Sequence, residues 1–525
     1  MSRFLLHRNT GRRMLVGCVL AALPGWLWPA EPAITHTERP NIVFILSDDH
    51  APQAIGAYNL RLSAFCREQK ITPNIDRLAE AGAIFPNSFC GNSICSPSRA
   101  AILTGLHGHA NGVRCLNQEV PDGIWKFPTA LREAGYQSAV IGKWHLGKTR
   151  SETDYWCLAP GQGVYLNPSF ESPTGAVSRA GYTADVVTDL SLEWLAKRDP
   201  ARPFLLMVYQ KPPHRNWIAP ERYAHLLDDV KVPEPDTLFD DYAQRGSPLK
   251  KQVMSIDRDM KLSADLKIYE DKPLAQIPEM YRSRNEEFRK MKPHGDDLVR
   301  WKYQTYLKDY LRCIKSVDDS VGRVMDYLEK NHLAENTVVI YSSDQGFYVG
   351  EHGWFDKRWI FEESLHMPFV IRWPGVVKPG SRPSAMIQNI DYAPTFVEIA
   401  GGKVPSGLHG RSFLPVLRGA PPADWRTSLY YRYYDPGHGV AQHNGVRTEH
   451  FTLVHYFEAD EWDLFDLQKD PAQLRSVFAD PDYAATVSEL KAEIERLRKL
   501  YSETDPMPYR QAKENKAKKK KQGAE

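Results

Sequence analysis

Cysteine is scarce in this chain, seven residues in 525, and the irregular spacing excludes a disulfide framework as what holds the fold. Setting aside Cys18 and Cys95 leaves Cys66, Cys90, Cys115, Cys157 and Cys313, an odd set that allows one or two bridges. Paired His or Cys ligands of the zinc-binding kind are missing as well. The net charge is only +2, so the surface as a whole is not built for nucleic acid or another polyanion. After the amino terminus no stretch approaches the ~18 consecutive apolar residues of a membrane helix, which excludes a transmembrane segment. There is no internal repeat. What remains, 42% hydrophobic and 25% charged residues, is an ordinary globular composition, long enough for one large domain and a smaller one.

The two ends stand apart. Arg12 and Arg13 precede the apolar run Met14 to Trp28, with small residues at Ala30 and Ala33, the layout of a secretory signal peptide over 1–33. Export to the periplasm or medium follows, by the general secretory route or, from the Arg12-Arg13 pair, the twin-arginine route. Leu15-Val16-Gly17-Cys18 resembles a lipoprotein box, but too little apolar sequence precedes Cys18, so export without an anchor is preferred. At the other end 506–525, with Lys516 and Lys518 to Lys521, is expected to be a solvated, disordered basic tail.

Between them, Asn41 to Leu46, Gln137 to Ile141, Phe204 to Tyr209 and Thr337 to Tyr341 are short continuous apolar runs, the signature of strands buried on both faces. Each discharges polar residues at its carboxyl end: Ser47-Asp48-Asp49-His50, Gly142-Lys143-Trp144-His145, Gln210-Lys211-Pro212-Pro213-His214 and Ser342-Ser343-Asp344-Gln345-Gly346. With helical segments between them, these runs predict an α/β fold, a large central mostly parallel mixed sheet flanked by helices, with one functional edge. Leu307, Leu311, Ile314, Val317, Val321, Val324 and Leu328 predict a long covering helix. The irregular, charged segment 230–302 is expected to be an insertion acting as a lid. After a linker-like stretch from Gly419, aromatic alternating runs and a helix over Tyr483 to Leu500 predict a small C-terminal antiparallel sheet with a helix. The expected boundaries are 38–418 for the large domain and 419–505 for the small one.

The stretch Asn92 to Gly105 delivers Cys95 and Ser96 to a helix start, with Pro97 expected at the first helical position, where a missing N–H is tolerated. The helix end and Arg99 both favour an anion there; the alternative is a plain buried thiol. Asp48, Asp49, Asp344 and Gln345 gather oxygen donors at two strand ends. Adjacent carboxylates there ask for a cation, and without His or Cys pairs calcium or magnesium suits better than zinc. Read singly, such Asp pairs are also turn or cap residues. Lys143, His145, His214, Lys357 and Arg99 add cations and proton donors, which together suit a tetrahedral oxyanion such as a sulfate or phosphate ester.

Cys95-x-Pro97-x-Arg99, continued by Ala100, Leu103, Thr104 and Gly105, together with Gly142-Lys143-Trp144-His145-Leu146-Gly147, resembles the formylglycine-dependent type I sulfatases of the alkaline-phosphatase-like superfamily, from Pro40 to about Glu503. The resemblance implies that Asp48, Asp49, Asp344, Gln345 and the modified Cys95 hold one calcium ion, with magnesium second. It implies that a formylglycine-generating enzyme converts Cys95, that Arg99 holds the aldehyde hydrate, and that Lys143, His145, His214 and Lys357 serve the sulfate and leaving group. Gln345 departs from the family's usual Asn but keeps the amide oxygen. The stretches Asp344 to Tyr348, Glu351 to Arg358, Gly445 to Glu449 and Trp462 to Leu467 look like the bacterial branch acting on 6-sulfated N-acetylglucosamine, so the implied partner is a sulfated carbohydrate such as a glycosaminoglycan. His443 and His352 are candidate substrate contacts, with His438 and Arg447 also suited to a sugar. The alternatives are a sulfatase for another sugar or aryl sulfate, a phosphomonoester or phosphonate hydrolase on the same fold, and a non-catalytic glycan-binding protein.

Overall fold

Ile42, Phe44 and Leu46 face one side of the strand Asn41–Ser47 and Val43 and Ile45 the other, and all five are fully buried. That two-sided burial is why the run is apolar without alternation. In the computed structural model, which describes residues 39–148 and 152–509, this strand lies at the centre of a nine-stranded sheet. Its parallel neighbours are Thr337–Ser343 and Phe204–Tyr209; Gln137–Lys143 and then Tyr155–Ala159 continue in parallel beyond the latter. The margins are antiparallel: Phe369–Arg372 and Ala83–Ile84 on one side, Ser169–Ser172 and Gly175–Ser178 on the other. The sheet is therefore mixed with a parallel centre, as the runs predicted. The leader 1–33, with Cys18, and the lysines at 516–521 lie outside the described residues.

Helices cover both faces. Pro73–Glu80, Thr183–Lys197 and the carboxyl half of the helix Gly295–Lys330 pack on the face of Val43 through Leu78, Val187, Val317, Val321 and Val324. Phe127–Glu133 and Tyr392–Ile399 pack on the face of Phe44. The long helix begins at Gly295, so the end of the segment expected to be irregular is helical; its apolar stripe simply faces a different partner there. Tyr303, Tyr306, Tyr310 and Ile314 pack against Trp217, Val232, Leu238, Ile256 and Ile268 of the preceding segment, which carries short helices such as Arg282–Met291.

Near the carboxyl end, Ser428–Tyr433, His443–Thr448, Phe451–Tyr456 and Glu461–Asp466 form a four-stranded antiparallel sheet. One face buries Tyr430, Val446, Leu453 and Leu464 under the helix Ala484–Leu500. The other, with Tyr431, Tyr433 and Tyr456, joins the core around Phe44. The six described cysteines are buried free thiols, and among the described residues no helix is long and apolar enough to cross a membrane.

Candidate active site

The carboxyl ends of the central strands converge on the residues singled out in the sequence. Cys95 opens the helix Cys95–Thr104, after Ile94 in extended conformation and before a left-handed Gly105. Pro97 stands third rather than first in this helix, and costs nothing there because the first four N–H groups have no partner inside the helix. The Cys95 thiol is 3.4 Å from Asp48 Oδ1 and 4.0 Å from Gln345 Nε2. Burial pushes it up to about 12, with the carboxylates of Asp344 and Asp49 adding and Lys357 opposing.

Asp48, Asp49 and Asp344 are fully buried, with carboxylate oxygens within 4.8 Å of one another. Uncompensated, such a triad is prohibitively costly. Three cations answer it. Lys143 Nζ donates to Asp48, Arg99 Nε donates to Asp344 Oδ2 at 2.9 Å, and Lys357 Nζ donates to Asp49 Oδ2 at 2.6 Å. Even so, burial leaves Asp49 raised to about 6, against the pull of Lys357 and helped by Asp344. Lys143 is pushed well down by burial and by Lys211, whereas Lys357, despite burial, is held high by Asp49.

The set does not close on itself. Gln345 Nε2 donates to Asp49, but Gln345 Oε1 is buried without a partner, as are Arg99 Nη2 and His145 Nδ1. Three carboxylates plus an orphaned amide oxygen are an oxygen-only donor set, which fits a hard divalent cation. The chain crowds closely here: a Cβ on Gly346 would lie 2.2 Å from the Glu363 carbonyl oxygen, so glycine is required after Gln345.

Around this set stand the remaining predicted groups. His214 Nδ1 donates to the Arg215 carbonyl, leaving Nε2 as the lone-pair nitrogen 3.9 Å from Asp49 Oδ2. Burial and the cations Lys143 and Lys357 push His214 well down, and burial and Lys143 bring His145 to about 2, so both rings are neutral at neutral pH.

Two further candidates are buried behind the loop that carries Lys357. His352 is fully buried against Asp240 Oδ2 at 2.9 Å and Arg245 Nη1 at 3.2 Å; Asp240 and Glu363 hold it raised although burial and Arg245 oppose. His443 is buried between Trp359, Tyr431 and Tyr433, its ring 4.9 Å from that of Trp359, and burial brings it to about 4. Arg447 pairs with Glu362 and His438 with Asp435.

Residue-by-residue reading passed over three neighbours of the site, Asp356, Arg358 and Lys211, and expected Ser98 to serve the modification or the helix start. Asp356 and Arg358 flank Lys357 with positive φ of 82° and 100°; they pair at 2.6 Å, while Arg358 Nε and Nη1 remain buried without partners. Lys211, brought down to about 8 by burial with Asp49 and Cys95 opposing, lies over the Tyr165 ring. Ser98 donates to the Asp344 carbonyl and accepts from Asn389 Nδ2 at 2.8 Å, tying the helix that begins at Cys95 to the strand end that carries Asp344. The strings Asp356-Lys357-Arg358 and Lys211-Pro212-Pro213-His214 were signals for the first three.

Comparison with known proteins agrees with this geometry. The family profile "Sulfatase" matches residues 40–402, and "N-sulphoglucosamine sulphohydrolase, C-terminal" matches 350–500. An N-acetylglucosamine-6-O-sulfatase of Bacteroides thetaiotaomicron is 39% identical over 506 residues, covering 91% of this chain and 89% of the relative. An N-acetylglucosamine-6-sulfatase of Capra hircus is 27% identical over 77% of this chain and 68% of its own length. A solved structure in complex with its substrate D-glucosamine-2-N,6-O-disulfate superposes with a TM-score of 0.85 at 39% identity, covering 89% of this chain and 99% of the other. On these matches and on the strand-end site, the chain belongs to the sulfatase family and is a sulfuric ester hydrolase.

Proposed function

We propose that this sulfatase is an exported enzyme that removes the 6-O-sulfate of N-acetylglucosamine units in glycosaminoglycans or related glycans, using formylglycine made from Cys95 and one calcium ion. The observation that carries the chemistry is the state of Cys95. Its thiol lies 3.4 Å from Asp48 Oδ1 among buried carboxylates, and burial pushes it up, a setting that disfavours a thiolate nucleophile and supports conversion before turnover. The substrate reading rests on the relatives named above.

Asp48, Asp49, Asp344 and Gln345, with the modified residue 95, would hold the calcium ion. Bound there, it offsets the carboxylate charge and acts as a Lewis acid toward the sulfate. Conversion would give residue 95 a hydrated aldehyde, one hydroxyl of which, its proton passing to the Asp48 carboxylate 3.4 Å from the Cys95 sulfur, would bond sulfur in line as the bond from sulfur to the sugar oxygen breaks. Arg99, whose Nη2 is free to donate, and Lys143 take up charge on the sulfate oxygens. Lys357, protonated at rest, or His214, once an anionic ester has restored its proton affinity, would protonate the departing sugar oxygen, which leaves as the alcohol. His145 would then take the proton of the second hydroxyl as the carbon–oxygen bond to sulfate breaks, which would restore the aldehyde.

Arg358 and Asp356, next to Lys357, are placed to meet sugar hydroxyls, and the orphaned His443 Nε2 keeps that residue a candidate in the same region. His352 enters by holding the 350–358 loop. Among the described residues both candidate metal groups share Asp48, and the Lys143 ammonium donates to that carboxylate, which supports a single ion and so a sulfate over a phosphate ester.

The test is to produce the protein with and without a formylglycine-generating enzyme and follow Cys95 by peptide mass spectrometry. Sulfate release from 6-sulfated N-acetylglucosamine is expected to scale with the converted fraction. Equal rates from unconverted protein would remove the nucleophile. Sequencing the exported protein's amino terminus, expected after residue 33, tests the leader.

A further inference from the structure

Asp49, placed among the metal ligands, occupies the left-handed backbone region at φ 68°, uncommon for non-glycine residues though aspartate enters it more readily than most. The Asp49 N–H donates to Asp344 Oδ1 at 3.2 Å and the His50 N–H to Ser343 Oγ at 2.9 Å, and a further group that holds the turn comes from the middle of the long helix Gly295–Lys330. The Tyr310 hydroxyl donates to the Asp49 carbonyl at 2.7 Å and accepts from the Ala51 N–H at 2.8 Å, so one buried oxygen closes the turn from both sides. The Tyr310 ring lies flat on Phe347, centroids 5.5 Å apart and planes 10° apart. Phe347 in turn sits under the Lys357 ammonium at 5.8 Å, and that ammonium holds the Asp49 carboxylate.

We propose that Tyr310 is a positioning residue: through its hydroxyl on the Asp49–Ala51 turn and its ring on Phe347, it presets the Asp49 carboxylate for calcium before the ion arrives. This rests on the proposed metal site. A phenol suits the task because it offers a donor and an acceptor at the tip of a rigid arm carried by a helix packed on the sheet.

Tyr310→Phe keeps the ring stack and removes only the hydroxyl. Tyr306→Phe is the matched control, since Tyr306, also fully buried on the same helix, donates to the Tyr348 carbonyl at 2.6 Å and does not touch the turn. Calcium chloride is titrated calorimetrically into chelator-stripped, formylglycine-bearing enzyme. Loss of the two hydrogen bonds is expected to weaken calcium roughly tenfold in Tyr310→Phe, with kcat regained at saturating calcium. Tyr306→Phe is expected to bind like the wild type while losing comparable thermal stability. Equal calcium affinity in Tyr310→Phe and wild type, or equal weakening in both variants, overturns the positioning role. A wild type that binds no calcium overturns the metal reading itself and this role with it. Should Tyr310→Phe not fold, hydrogen exchange in the stripped wild type decides. An Ala51 amide already protected without calcium supports presetting, and one protected only after calcium is added overturns it.

Discussion

Asp309 and Asp344 are both buried carboxylates held by arginine, yet their surroundings end differently. Asp309, on the long helix, takes two hydrogen bonds from Arg284 at 2.6 and 2.7 Å and one from Arg312 at 3.0 Å, with Lys267 at 4.0 Å. Against burial, Arg284 holds it below the usual carboxylate range, and no buried polar atom of these four side chains lacks a partner. Around Asp344 the charges balance too, but Gln345 Oε1, Arg99 Nη2 and His145 Nδ1 are left over. A network that serves only the fold spends its donors and acceptors on itself. One that serves a ligand keeps some in reserve, at a cost the fold bears elsewhere.

The comparison can be broken at several points. The largest expected effect is Cys95→Ala, which should lower sulfate release by about 10⁴-fold or more, on the order of 5.5 kcal/mol of barrier, while the thermal midpoint stays near that of the wild type. Residual turnover of a few per cent would show that another group is the nucleophile. Next is Arg284→Met in the closed network. It strands the Asp309 charge and should cost about 3–5 kcal/mol of stability by denaturant unfolding, with kcat/KM per folded molecule unchanged. A loss of activity without a loss of stability would mean that this network is not merely structural.

Removing calcium by chelation should abolish activity and lower stability by about 2.7 kcal/mol relative to calcium at 100-fold its Kd, both reversed on adding calcium back. Unaffected activity would remove the metal. The smallest effect is the pH dependence carried by His352. Its folded proton affinity is raised by Asp240 and Glu363 in spite of burial, so its contribution is complete below its unfolded pKa of about 6.5 and is lost as pH rises through the folded value. The wild-type melting temperature should therefore fall more between pH 6 and pH 9 than that of His352→Gln. Parallel curves would show that the histidine stays neutral.

The strands that build the site were legible because burial on both faces forces continuous apolar runs, and polar strings directly after them mark the edge where ligands bind. Thus Asp48, Asp49, Lys143, His145, His214, Asp344 and Gln345 could be gathered from pattern alone. Cys95 and Arg99 needed the sulfatase resemblance. The outer strands Tyr155–Ala159 and Ser169–Ser172 were not read: the first is an apolar run with no charged string after it to mark the site, and the second alternates between exposed and buried positions. His352 and His443 show the harder limit. Whether a histidine meets solvent, a carboxylate such as Asp240 or an aromatic stack such as Trp359 and Tyr431 depends on segments about a hundred residues away or on a neighbouring strand. Tyr310 was legible as a position near a helical stripe, but not as the hydroxyl that closes the Asp49 turn.

The most direct test of the account is sulfate or phosphate release by protein carrying confirmed formylglycine at position 95, given 6-sulfated N-acetylglucosamine, 6-sulfated galactose and a phosphate monoester in parallel. The account predicts turnover of the glucosamine sulfate, with the galactose sulfate and the phosphate ester slower by at least about 100-fold, or 2.7 kcal/mol. Cleavage of the phosphate ester with silence on both sulfates would contradict it.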